Sequence, residues 1–189
     1  DLHQAARGRA APCRLVQVTF VNRLMKRLVA ILALAIANSA GAQAGFWKDS
    51  TGKPVADSQS RKSKNDFAGW LLATPDEDWQ AKWETPSSTI PRFNEAKEVQ
   101  RGKRIFVLIF FANPKLDSAG AADVTCNLKV TRPNRSASVD QKAVCFKGRI
   151  MGAPQHLYLS APVIAFVGEP TDPSGEWVVE VTLRDNARN

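Results

Sequence analysis

The chain has 189 residues, 44% of them hydrophobic and 23% charged, with a formal net charge of +8 at pH 7. The length suits a single domain with a sizeable core. The basic excess is uneven: six of the 26 Lys and Arg but one of the 18 acids fall in residues 1–42, so the chain from Gln43 onward sets 20 basic against 17 acidic residues and keeps only +3. That balance does not predict a nucleic-acid partner.

Residues 1–24 are rich in Arg and Ala without a hydrophobic period, and read as a non-native extension upstream of a true start at Met25. Residues 25–44, MKRLVAILALAIANSAGAQA, read as a Sec-type signal peptide. Lys26 and Arg27 form the basic region, Leu28 to Ala37 the apolar run, and Ala40-Gly41-Ala42 or Ala42-Gln43-Ala44 the cleavage pattern. Ten apolar residues are too few to cross a hydrocarbon core of about 30 Å as a helix, and no later run approaches the roughly 20 needed, so no membrane span is expected in the mature chain. Cleavage after Ala42 or Ala44 exposes Gln43 or Gly45, and neither is the cysteine that a lipoprotein requires. The expected location is periplasmic or secreted. Cys13 lies upstream, which leaves Cys126 and Cys145 as an expected disulfide in an oxidising compartment.

Residues 45–66 are polar and charged and read as a flexible leader to a domain spanning 67–189. Trp70, Trp79 and Trp83 follow in a short span broken by Pro75, Pro86 and Pro91, with a short helix expected over Asp76 to Trp83. Beyond it, strands recur between turn signals about every 10 residues, which predicts an all-β antiparallel sandwich or barrel. Arg104 to Ala112 (RIFVLIFFA) is the expected central strand, ended by Asn113-Pro114. In VTCNLKVTR, Val124, Cys126, Leu128 and Val130 alternate with polar residues, and Ser138 to Phe146 is expected to return antiparallel, so that the disulfide staples one hairpin. His156 to Val167 is a further strand, bent or broken at Pro162. Glu176 to Arg184 alternates with Trp177, Val179, Val181 and Leu183 on one face.

The run PSGEWVVEVTLRDN, Pro173 to Asn186, resembles the penultimate strand of bacterial immunoglobulin-like and macroglobulin-like sandwich domains: a turn glycine, an aromatic residue, alternating valines and a closing Asp. The resemblance implies an immunoglobulin-like β-sandwich with a short N-terminal helix or irregular segment. One more strand follows in such domains, so it also implies either an incomplete sandwich or a sequence truncated at its C-terminus. The 19 positions from Cys126 to Cys145 depart from the disulfide that crosses the two sheets of immunoglobulin domains.

Motifs for chemistry are sparse. His156 is the one histidine downstream of the signal, no glycine-rich phosphate loop is present, and no ligand set for zinc or calcium appears, so no catalytic residue, cofactor or metal is expected. Asp76, Glu77 and Asp78 read as a solvated helix start beside Trp79. The basic clusters Arg61, Lys62, Lys64 and Arg101, Lys103, Arg104 read as solvated surface. Trp79 and Trp83, four apart, share one helix face and with Trp70 serve either to pack that helix on the sandwich or as a binding platform. The expectation is a non-enzymatic exported module that binds another cell-envelope protein or an extracellular ligand, through the Trp-bearing segment or a free sheet edge. The alternative is an envelope hydrolase or carbohydrate-active protein with carboxylates near the tryptophans, which requires a carboxyl of raised pKa.

Overall fold

The computed structural model describes residues 46–49, 51–86 and 91–188, together with the backbone of 11–12 and 17–19. The expected signal peptide, its cleavage sites and Cys13 lie outside the described residues. The elements in chain order are β1 (Ala11–Pro12), β2 (Gln17–Thr19), β3 (Arg61–Lys64), β4 (Phe67–Thr74), α1 (Trp79–Trp83), β5 (Glu98–Val99), β6 (Arg104–Ala112), β7 (Ala121–Thr131), β8 (Ala137–Arg149), β9 (Leu157–Leu159), β10 (Ile164–Val167) and β11 (Val178–Asp185). Among the described residues the fold is all-β: two sheets stack as a sandwich, with one short helix on the outside.

One sheet has the order β10-β6-β4-β3, with β9 also paired to β6, and the other the order β2-β11-β7-β8. Every pairing between these strands is antiparallel except that of β2 with β11, while β1 and β5 form a separate two-stranded ribbon. Alternation in β7 and β11 does what period two dictates: Val124, Cys126, Leu128 and Val130, with Val179, Val181 and Leu183, turn inward and are at most 5% exposed. They meet Leu71 from β4 and Val107, Ile109 and Phe111 from β6. Burying each such side chain contributes about 1.5–3 kcal/mol relative to leaving it in water.

The opposite face of β6 is also buried. Leu108 and Phe110, with Leu72 of β4, form a second apolar layer covered by Trp70, Trp79, Trp83, Phe93, Leu157 and Leu159. The unbroken apolar run of β6 thus reflects burial on both faces. For the same reason β4 lacks alternation: seven of its eight residues are buried. Its strand character was hidden in a segment recognisable only by its tryptophans and prolines.

The two ends of β6 and β11 are tied by polar contacts. The buried Asp185 carboxylate accepts hydrogen bonds from the Lys115 N–H (2.7 Å), the Ala187 N–H (3.2 Å) and Arg188 Nε (3.0 Å). The Arg188 guanidinium donates onward to the carbonyls of Asn65 and Asn113, which belong to the other sheet's turns.

The structure departs from the sequence reading in three places. Arg61–Lys64, expected within a flexible leader, pairs with β4 as an edge strand; its polar residues carry no apolar period because the strand is exposed at both ends and only half-buried between. The helix is shorter than Asp76 to Trp83, because Asp76 is turned inward and the chain becomes helical only at Trp79. Residues 11–12 and 17–19, within the expected upstream extension, pair with β5 and β11. The break expected at Pro162 separates β9 from β10.

Cys126 and Cys145 are bonded, with Cα atoms 5.7 Å apart. They lie across the β7–β8 hairpin, where Thr125 pairs with Val144 but Val124 pairs with Phe146, so Cys145 is the extra residue of a β-bulge. The bulge lets Cys145 and Phe146, adjacent in sequence, both pack against the core. Replacing both cysteines by serine is expected to remove about 3 kcal/mol of stability, the entropy of a loop of this size. Urea unfolding of the oxidised, reduced and doubly substituted proteins checks this; equal midpoints for all three refute it.

Candidate functional site

The three tryptophans singled out in the sequence come together on the outer face of the β6 sheet. Trp70 stacks on Phe110 with ring centroids 4.9 Å apart, Trp83 lies 5.2 Å from the same ring, and Trp79 is 6.0 Å from Phe106. All three are half-buried. Trp79 and Trp83 share a helix face, as their spacing requires, and that face rests on β6. Above Trp70 sits the Arg61 guanidinium, its carbon 4.7 Å from the ring centroid and 5.9 Å from that of Trp47. The cluster therefore covers the sheet, with one cation near two indoles.

The acids beside it are differently placed, although Asp76 and Asp78 share the Lys82 ammonium. Glu77 and Asp78 are exposed, whereas Asp76 is 8% exposed and fully engaged. Its carboxylate takes a salt bridge from Lys82 Nζ (2.8 Å) and hydrogen bonds from the Asn94 N–H (2.9 Å) and side-chain amide (2.7 Å). Burial raises the pKa of this carboxyl, but the hydrogen bonds from Lys82 and Asn94 and the Lys82 charge outweigh it and hold it at about 2. A general acid needs the reverse shift. Asp76 is an anchor that ties α1 and the segment carrying Phe93 to the end of β4.

His156 is exposed and ends a turn, its N–H donating to the Ala153 carbonyl. Among the described residues no group of three His, Cys, Asp or Glu side chains is placed to hold a metal, and no helix is long and apolar enough to cross a membrane.

A cleft of about 300 Å³ opens elsewhere, between the sheets at one end of the sandwich. Val99, Ile105 and Phe166 wall one side, and Val130, Val179 and Trp177 the other. Trp177, which shares its face with Val179, Val181 and Leu183, packs against the core and also lines the cleft. Its indole N–H donates to the Pro173 carbonyl (3.1 Å), and the Arg132 guanidinium carbon lies 5.9 Å from its ring centroid. Arg132 is held in turn by the Ala137 carbonyl (2.8 Å), and Arg101 by the Asp172 carbonyl (2.8 Å) and Ser174 Oγ (3.2 Å). Two guanidinium groups and the acids Glu169 and Asp172 thus border an apolar interior.

Gly168 closes one wall. Its N–H donates to the Lys103 carbonyl (3.0 Å) and its carbonyl accepts from the Gly102 N–H (2.7 Å). A Cβ there would stand 2.9 Å from the Gln100 carbonyl oxygen, so no other residue permits this approach. A bulge shapes the other rim: Val130 pairs with Val139 and Thr131 with Ala137, so Ser138 is extra and lines the cleft. A second cavity of about 170 Å³ continues past Phe166 to Cys145 and Pro162.

Sequence reasoning missed this cleft because its residues come from five separate stretches. Locally the sequence offers only the basic cluster Arg101, Lys103 and Arg104 and the aromatic Trp177 after a glycine turn, and nothing in either stretch names the other. Compared with known proteins, the chain matches no family model, no curated protein and no solved structure.

The Asp76 anchor has a signed pH dependence. Its folded pKa lies below the ordinary 3.8, so its contribution to stability is complete above that value and disappears as pH falls through about 2. Asp76→Asn is expected to lower stability at neutral pH and to flatten the acid limb between pH 4 and 2. Thermal unfolding at several pH values compares the two proteins; parallel curves for wild type and variant exclude the anchor role.

Proposed function

We propose that this chain is the precursor of an exported, periplasmic or secreted binding module: a non-enzymatic β-sandwich that holds an extracellular ligand, or a side chain of another envelope protein, in the cleft beside Trp177. The observation that carries the reading is the cleft itself. At about 300 Å³ it reaches the size of small-molecule sites, which are mostly apolar with a few placed polar groups. A tryptophan face with a guanidinium over it, inside an apolar slot, favours a flat or branched apolar group that carries an acceptor or negative charge at one end.

Export is supported by the order of basic, apolar and small residues in 25–44 and by the Cys126–Cys145 pair, since disulfides persist in oxidising compartments. The anchoring role of Asp76 removes the one buried acid near the tryptophans from the hydrolase alternative.

The dye 1-anilinonaphthalene-8-sulfonate, an aromatic body with one anionic group, is a suitable probe of the folded protein. Saturable binding at one site is expected, with energy transfer from tryptophan that falls in Trp177→Phe. Arg132→Ala is expected to weaken binding about two- to fivefold, the worth of one exposed cation–aromatic contact. Fluorescence titration of folded wild type and both variants decides the matter: absence of binding, or binding that neither substitution alters, overturns the cleft as the site.

A further inference from the structure

The four lateral edges of the sandwich are built differently. β3 carries Arg61, Lys62 and Lys64 on its four residues. β10 is four residues long and follows Pro162. β8 is interrupted by two bulges and carries Asp140, Lys142, Lys147 and Arg149. Short strands, lysines, prolines and bulges are the devices that stop an edge from recruiting another strand. β11 has none of them. It pairs residue for residue with β7 from Val178 to Asp185 without a register shift, and contains no lysine or proline. Its design is that of an interior strand with a neighbour on each side.

That second neighbour is β2. Gln17, Val18 and Thr19 run parallel to β11, in register with Glu180, Val181 and Thr182, and lie across the sandwich from β3 and β4. Val181, at the centre of the pairing, has no exposed surface. Yet residues 17–19 precede the expected signal peptide, so the exported chain lacks them.

We infer that in the mature protein the outer edge of β11 is a strand-acceptor site, filled by an extended segment of another envelope protein that takes the place of Gln17–Thr19. The inference rests on the export reading proposed above. The seat defines the donor. It runs parallel to β11, has an apolar, preferably β-branched residue beside Val181, has uncharged polar residues beside Glu180 and Thr182, and contains no proline within the pairing. Direction argues against a second copy: a two-fold axis that extends this sheet continuously pairs β11 with itself antiparallel, whereas the seated strand is parallel.

The test starts from the reading frame for all 189 residues, expressed in an exporting bacterium. Intact mass and N-terminal sequence of the exported protein report its start, expected at Gln43 or Gly45. Binding of a fluorescent peptide with the sequence of residues 14–22 (RLVQVTFVN) is then measured by anisotropy, beside a peptide carrying Val18→Asp. Saturable binding is expected, at least about tenfold weaker for the Asp peptide, because a carboxylate would have to be buried beside Val181. Since the substitution is in the peptide, folding of the protein is not in play. A processed protein that ignores both peptides, or binds both equally, overturns the acceptor edge and leaves export standing. A processed protein that is a dimer cross-linked through Thr182→Cys assigns the edge to a second copy and overturns the hetero-partner. A chain that retains residues 1–24 keeps its own strand, and overturns the export reading together with the acceptor site.

Discussion

Burial of β6 on both faces is the constraint on which the rest of this molecule depends. Val107, Ile109 and Phe111 need the second sheet, while Leu108 and Phe110 need a cover on the outside. A two-layer sandwich satisfies only the first requirement. The chain meets the second by laying α1 and its tryptophans on the outer face. A helix of five residues has too few turns to hold itself in water, so α1 depends on the sheet beneath it and on the Asp76–Lys82 anchor as much as the sheet depends on α1.

The same arrangement explains where an open cleft remains. Across the middle of the sandwich, paired alternating strands bring side chains of the two sheets into contact. At the end bordered by β5, β10 and the turn before β11, strands stop at different heights and glycine or bulge residues set their spacing. Gly168 draws β10 against the Gln100 carbonyl, and Ser138 displaces the rim of β8. Between them the sheets part over Trp177, and the arginines that satisfy the nearby turn carbonyls become the rim of the opening. The guanidinium groups around the cleft are thus placed by hydrogen bonds to backbone carbonyls.

Much of the fold was legible because strands with one wet face announce themselves. β7 and β11 alternate, β6 is dense in branched and aromatic residues, and the Cys126–Cys145 spacing suited a hairpin. β4 was not legible: burial on both faces erased its period, and its tryptophan looked like part of a separate aromatic segment. β3 was hidden for the opposite reason, since a basic edge strand has no inward face to mark. The tryptophans were readable as a group, and their spacing gave the shared helix face. Whether they lay over a sheet was a matter of tertiary contact with Phe106 and Phe110, some 30 residues on. The cleft joins turns from five stretches, and only the topology of the two sheets relates them.

The bulge at Cys145 has a further meaning for how this hairpin tolerates change in length. Regular antiparallel strands send successive side chains to opposite faces, so a one-residue deletion normally reverses everything beyond it. Here the deletion of a single residue between Ala143 and Phe146 would restore an unbroken ladder to this part of the hairpin, and on backbone grounds alone it would be benign. It would also leave one inward position where two side chains now stand, the half-cystine and the phenylalanine that packs on Phe111. Phe146 stays opposite Val124 whichever of Val144 and Cys145 is removed, so the shortened hairpin would keep its aromatic contact with the opposite sheet and lose its covalent staple.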